Sequence, residues 1–129
     1  MPTVPTRTAR PRGWLVLVVE DEFLIAMGLE DLLERHGWRV LGPAASVAQA
    51  LRLLDGDGTP DVALLDVNLG GELVAPVAEA LRARGVPFVL ASAQDRADLV
   101  ASALAGAPNV GKPTNEARLL AVLTQVIDA

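Results

Sequence analysis

What most constrains this chain is an alternation of two hydrophobic periods. Short all-apolar, β-branched runs take turns with longer stretches whose apolar residues recur every three or four positions. Trp14-Leu-Val-Leu-Val-Val19 is such a run, and a strand with no polar face must be covered on both sides. Ile25, Leu29, Leu32, Leu33 and His36 then fall at helical spacing, and Gly37 supplies a stop. Trp38 to Gly42 reads as a second strand. Ser46 is placed to cap a helix through Leu54, which ends at the Asp55-Gly56-Asp57-Gly58 turn. Val62 to Leu65 is a third strand, ending at Asp66. An Asn68–Gly71 loop and a helix from Leu73 to Arg84 follow, with Pro76 tolerated in its first turn. Val86 to Ala91 is a fourth strand, and Asp95 caps an Ala-rich helix to about Ala105. Asn109 to Gly111 makes a short fifth strand. Thr114 caps a last helix with Leu119, Leu120, Leu123, Val126 and Ile127 on one face.

Five βα units in about 115 residues predict an α/β fold, a (βα)5 doubly wound five-stranded parallel sheet with right-handed crossovers. Ligands of such sheets sit at the carboxyl ends of the strands, near the switch in strand order. One domain, 14–129, accounts for the pattern. The first thirteen residues, with three prolines, three arginines and no hydrophobic stretch, read as a disordered tail.

Composition removes whole classes of function. Cysteine is absent, which excludes disulfide frameworks, thiolate metal sites and thiol nucleophiles. A single histidine, His36, cannot form an imidazole metal cluster. Its place beside Gly37 suits a helix C-terminus, where a cation favours the dipole. No apolar run is long enough for a membrane span, and the start lacks the apolar centre of a secretory signal, so the reading is cytoplasmic. The chain carries sixteen acidic and eleven basic residues, a net charge of −5. Arg7, Arg10 and Arg12 lie in the tail, leaving a charge of −8 on the folded part. Such a surface repels a phosphate backbone, which argues against nucleic acid as a partner. Ten of the basic residues are arginine, and the one lysine is Lys112.

With strands ordered 2-1-3-4-5, the strand ends bring unlike groups together. The first ends in Glu20-Asp21, the third in Asp66, the fourth in Ser92, and the fifth runs into Lys112. Two unit charges about 4 Å apart repel by about 4 kcal/mol at an effective dielectric near 20. Three carboxylates in one cleft therefore take up protons or bind a cation. An all-oxygen ligand set suits Mg²⁺. One carboxylate could then attack phosphorus to form an acyl phosphate, with Ser92 and Lys112 sharing the charge on the transferred oxygens. Taken singly, each acid could simply cap a helix and Lys112 could be a loop residue. Their joint order along the strands favours the functional reading.

This constellation resembles the receiver domain of two-component response regulators over essentially Trp14 to Ala129. The matching stretches are Leu-Val-Leu-Val-Val-Glu20-Asp21-Glu22, Val-Ala-Leu-Leu-Asp66-Val-Asn68-Leu, Phe-Val-Leu-Ala-Ser92-Ala and Val-Gly-Lys112-Pro113. The resemblance implies a flavodoxin-like receiver fold with Asp66 as phosphoacceptor. Asp21 would ligate Mg²⁺, Glu20 would reach it directly or through water, and the Asn68 backbone carbonyl would be a further ligand. Ser92 and Lys112 would bind phosphoryl oxygens, with a cis Lys112–Pro113 bond. Asn68 and Gln94 hold the positions that tune dephosphorylation. Asn109 stands where the family carries its switch aromatic, so rotation of a Tyr or Phe cannot be the output. Asp-Val-Asn-Leu-Gly-Gly-Glu72, Phe88 and the missing aromatic resemble the single-domain subgroup nicknamed for its Phe-Ala-Thr-Gly-Tyr motif, which reads Leu90-Ala-Ser-Ala-Gln94 here.

Three rivals fail on chemistry. Gly106-Ala-Pro-Asn-Val-Gly111-Lys112-Pro113-Thr114 nearly spells a nucleotide-binding loop, but Pro113 replaces the required hydroxyl residue and has no N–H. A flavin module needs a phosphate-cradling first loop, and Glu-Asp-Glu-Phe would repel the phosphate. An aspartyl phosphatase needs a second acid two residues after its nucleophile, where Asn68 stands. The expectation is therefore a stand-alone, Mg²⁺-dependent response regulator, not a turnover enzyme. It would take a phosphoryl group from a histidine kinase or histidine phosphotransfer protein. Output would be altered contact with a downstream protein, a second copy of the chain included, or service as a phosphate sink. The resemblance places that contact on the fourth helix, fifth strand and fifth helix. The alternative is a receiver-like docking module that is not phosphorylated.

Overall fold

The computed structural model describes residues 14–56, 58–91, 106–111 and 115–128. In chain order the elements are β1 (Leu15–Val19), α1 (Phe23–Arg35), β2 (Arg39–Ala44), α2 (Val47–Gly56), β3 (Val62–Asp66), β4 (Asn68–Leu69), β5 (Glu72–Leu73), α3 (Ala75–Ala83), β6 (Phe88–Ala91) and α4 (Glu116–Asp128). The tail, the expected Asp95–Ala105 helix, Ser92, Gln94, Thr114 and the Lys112–Pro113 bond lie outside the described residues.

Strand parity sorts the core into two layers. Leu17, Val19, Ala63, Leu65, Phe88 and Leu90 face α2 and α3. Val16, Val18, Val62, Leu64, Val89 and Ala91 face α1 and α4. Successive side chains of a strand point to opposite faces, so a run that is apolar at every position needs helices on both. Each fully buried Leu or Val contributes about 1.5–3 kcal/mol relative to exposure. The sheet is parallel throughout, ordered β2-β1-β3-β6. Beyond β6, Asn109 makes a single parallel bridge to Leu90, flanked by bonds from Leu90 N–H to Pro108 and from Val110 N–H to Leu90. The described sheet thus has four strands in the expected order, and the fifth strand expected at Asn109–Gly111 is represented by this one bridge alone; the fold class is the flavodoxin-like one.

Three local expectations need correcting. The second strand does not stop at Gly42 but runs to Ala44 through a bulge, since Leu17 pairs with Leu41 while Val19 pairs with Ala44. Gly42 has φ 97° and the Gly42–Pro43 bond is cis. An edge strand at a bulge is where a proline without an N–H is tolerated. Asn68–Gly71 is not a plain loop: β4 and β5 pair antiparallel across Gly70-Gly71, and Leu73 belongs to β5, so α3 starts only at Ala75. The last helix takes its cap from Asn115, whose Oδ1 accepts the Arg118 N–H at 2.9 Å. The Ser46 cap holds, with its Oγ accepting the Gln49 N–H at 3.1 Å.

Candidate functional site

The register of the sheet builds the site. Val18 pairs with Leu64 and Val19 with Leu65, so one further step sets Glu20 beside Asp66. Adjacent strands lie about 4.8 Å apart, which puts the two side chains within reach of one another. Asp21 follows in the bend between β1 and α1. Each of Glu20, Asp21 and Asp66 offers a carboxylate oxygen within 4.8 Å of the others. Glu20 and Asp66 are buried, at 3% and 6% exposure, and are the two buried charged residues of the described core.

Backbone contacts hold the first acid in place. The Glu20 N–H donates to the Ala44 carbonyl at 2.9 Å, a partner that the β2 bulge brings into register. Its Oε2 accepts the Glu22 N–H at 3.0 Å, turning the side chain back over the start of α1. Asp66 is the last residue of β3 and pairs with Ala91 of β6. The chemistry of this donor set fits Mg²⁺. Octahedral ligands at 2.0–2.1 Å stand about 3 Å apart when adjacent and about 4 Å apart when opposite. Three carboxylates already clustered on this scale need little movement to close on such an ion.

The other expected site residues divide clearly. Asn68 opens β4, two residues beyond Asp66, and its backbone pairs with Leu73. Ser92 directly follows β6, and Lys112 directly follows Gly111; both lie outside the described residues, as does Gln94. Asn109 forms no aromatic switch. Its Oδ1 accepts the Gly111 N–H at 2.9 Å, and its carbonyl accepts from Arg118 at 3.4 Å. His36 caps α1, with its Nδ1 bonded to the Leu32 carbonyl at 2.9 Å, at the helix end opposite Glu20.

Two features were not anticipated. Helical spacing sets Ile25 on one face of α1 with Leu32 and Leu33, yet Phe23, Leu24, Ile25 and Met27 are all exposed. Within α1, burial is confined to Ala26, Leu32 and Leu33. The second is the β4–β5 hairpin. Among the described residues, a Cβ on Gly70, at φ 56°, would stand 3.3 Å from Asp21 Oδ2, whereas one on Gly71, at φ 96°, would meet nothing within 4 Å. Two glycines between paired dipeptides are a hairpin signal, and the sequence carried it at Gly70-Gly71.

Comparison with known proteins points the same way. The family model for the response regulator receiver domain matches residues 16–124. The phyllosphere-induced regulator PhyR of Methylorubrum extorquens is 31% identical over 114 residues, covering 87% of this chain and 43% of that protein. The transcriptional regulatory protein PdtaR of Mycobacterium tuberculosis is 32% identical over 100 residues, covering 77% of this chain and 47% of that protein. The chain thus spans less than half the length of these curated relatives. Among solved structures, SdrG from Sphingomonas melonis Fr1 is 43% identical with a TM-score of 0.74, over 88% of this chain and 96% of that one. The receiver domain of PhyR from Erythrobacter litoralis is 28% identical with a TM-score of 0.78, over 89% and 90%.

Proposed function

The chain belongs to the response regulator receiver domain family, and from that premise we propose that it is a phosphorylation switch whose acceptor is Asp66. The observation that carries this reading is the cluster of Glu20, Asp21 and Asp66 at the ends of two adjacent strands. An Asp66 oxygen attacks the phosphorus of a phosphohistidine on a kinase or phosphotransfer protein. The new acyl P–O bond forms as the P–N bond breaks, and the bond's electrons return to the imidazole. Bound Mg²⁺ supplies positive charge against the transferring oxygens. Glu20 and Asp21, with the Asn68 carbonyl, would hold the ion. Ser92 and Lys112 contact the phosphoryl oxygens, and Asn68 and Gln94 set how fast water removes the group.

The exposed apolar turn at Phe23, Leu24 and Met27 supports a protein as the phosphodonor, because it stands beside the acids and would be covered in such a complex. No helix among the described residues is long and apolar enough to cross a membrane. Output through altered contact with a downstream protein, or service as a phosphate sink, follows from the same reading.

The test is intact mass after incubation with acetyl phosphate and Mg²⁺. One added phosphoryl group is expected, lost on chelation and in Asp66→Asn. An unmodified mass with both acetyl phosphate and a cognate kinase would instead support a docking module that is not phosphorylated.

A further inference from the structure

The hairpin that follows the acceptor strand does more than connect β3 to α3. Gly70 and Gly71 both have positive φ, 56° and 96°, the combination that a two-residue type I′ connection requires. Turn geometry accounts for glycine at both positions equally. Space does not. Among the described residues, a Cβ on Gly70 would come 3.3 Å from Asp21 Oδ2, inside ordinary van der Waals contact, while one on Gly71 would meet nothing within 4 Å.

We propose that Gly70 is a positioning residue for Asp21, its missing side chain leaving the carboxylate free to stand where a divalent cation is held. This rests on the reading of Asp21 as a Mg²⁺ ligand. If a side chain is added at Gly70, the carboxylate is the partner that yields. The hairpin is pinned by its β4–β5 pairing, by buried Leu69 and by the Val74 N–H bond to the Val67 carbonyl at 3.2 Å. Asp21 stands in a bend and is more open to solvent than Glu20 or Asp66. A displacement of a few tenths of an ångström matters to Mg²⁺, which demands near-ideal octahedral geometry at 2.0–2.1 Å. It matters less to Ca²⁺, whose ligands lie at 2.3–2.6 Å in a flexible arrangement. Gly70 therefore sets both affinity and the preference for the smaller ion.

The experiment is calorimetric titration of the wild-type chain, Gly70→Ala and Gly71→Ala with MgCl₂ and with CaCl₂, each variant checked for native circular dichroism. Gly70→Ala is expected to weaken Mg²⁺ binding about tenfold, as supporting-residue changes at metal sites do, and Ca²⁺ binding less. Gly71→Ala carries the same kind of backbone strain and should stay within about twofold of wild type for both ions, well short of a supporting-residue loss. Should Gly70→Ala fail to fold, Gly70→Asn brings the same Cβ with a residue that tolerates left-handed backbone, and the same loss is expected. The inference is overturned if the Gly70 variant binds Mg²⁺ like wild type, if Gly71→Ala loses as much, or if Mg²⁺ and Ca²⁺ weaken equally. A wild-type chain that binds neither ion overturns it together with the metal-site reading, so the two failures are told apart by the wild-type titration alone.

Discussion

Glu20 does two jobs with one carboxylate. Its charge belongs to the cluster with Asp21 and Asp66, and its Oε2 closes the Glu22 N–H at the start of α1. The two jobs separate by mutation. Glu20→Gln keeps an oxygen of the same reach for the Glu22 N–H and removes the charge. It should fold with a stability within about 1 kcal/mol of wild type, since a neutral amide costs less to bury than a carboxylate. Mg²⁺ affinity should drop by tenfold or more, in the range of lost site residues. Glu20→Asp keeps the charge but shortens the arm, so it should lose the Glu22 bond, about 1 kcal/mol, and retain more of the metal affinity. Urea melts and calorimetry on the two variants check both halves. The reverse ranking for Mg²⁺ would mean that the oxygen's reach matters and its charge does not.

At the scale of elements, the β2 bulge deserves the sharpest prediction because it sets the register that delivers the Ala44 carbonyl to the Glu20 N–H. A Cβ on Gly42 would lie 2.8 Å from the Ala44 nitrogen and 3.2 Å from the Val18 oxygen, both backbone atoms, at φ 97°. Gly42→Ala should therefore cost about 2 kcal/mol or more, read as a lowered urea midpoint at unchanged slope. Asn115→Ala, which removes only the α4 cap, should cost about 1 kcal/mol. These two elements also show where the sequence was legible. The strands β1, β3 and β6 could be read because burial on both faces makes them apolar at every position, and their ends then placed Glu20, Asp21 and Asp66 together. The bulge was hidden because Gly42-Pro43 carries the usual mark of a strand end. Dipeptide strands such as β4 and β5 are too short to show a period, so Leu73 looked like the start of a helix. Ile25 keeps perfect helical spacing yet is exposed, because spacing says nothing about where a neighbouring surface ends.

On the scale of the whole molecule, the sheet has a chemical polarity that allows its two ends to be observed separately. The acids occupy the carboxyl ends of β1 and β3, while Trp14 and Trp38 precede β1 and β2, with ring centroids 4.9 Å apart in an edge-to-face pair. A five-residue strand spans roughly 17 Å, so the indoles are remote from any ion held by the acids. Their emission should not change when Mg²⁺ binds to the native chain, but it should report global unfolding because both rings are buried in the α1–α4 layer. A ligand that binds only the folded state adds about 2.7 kcal/mol at one hundred times its dissociation constant. Saturating Mg²⁺ should accordingly raise the urea midpoint of the tryptophan transition without altering its slope. The increment should shrink to near zero in Asp21→Asn, whose fold loses no described hydrogen bond by the change. An equal rise in that variant would assign the stabilisation to screening of the chain's net charge of −5 rather than to the site. The same titration with NaCl at matched ionic strength separates the two, because screening is indifferent to which cation supplies it and three converging carboxylates are not.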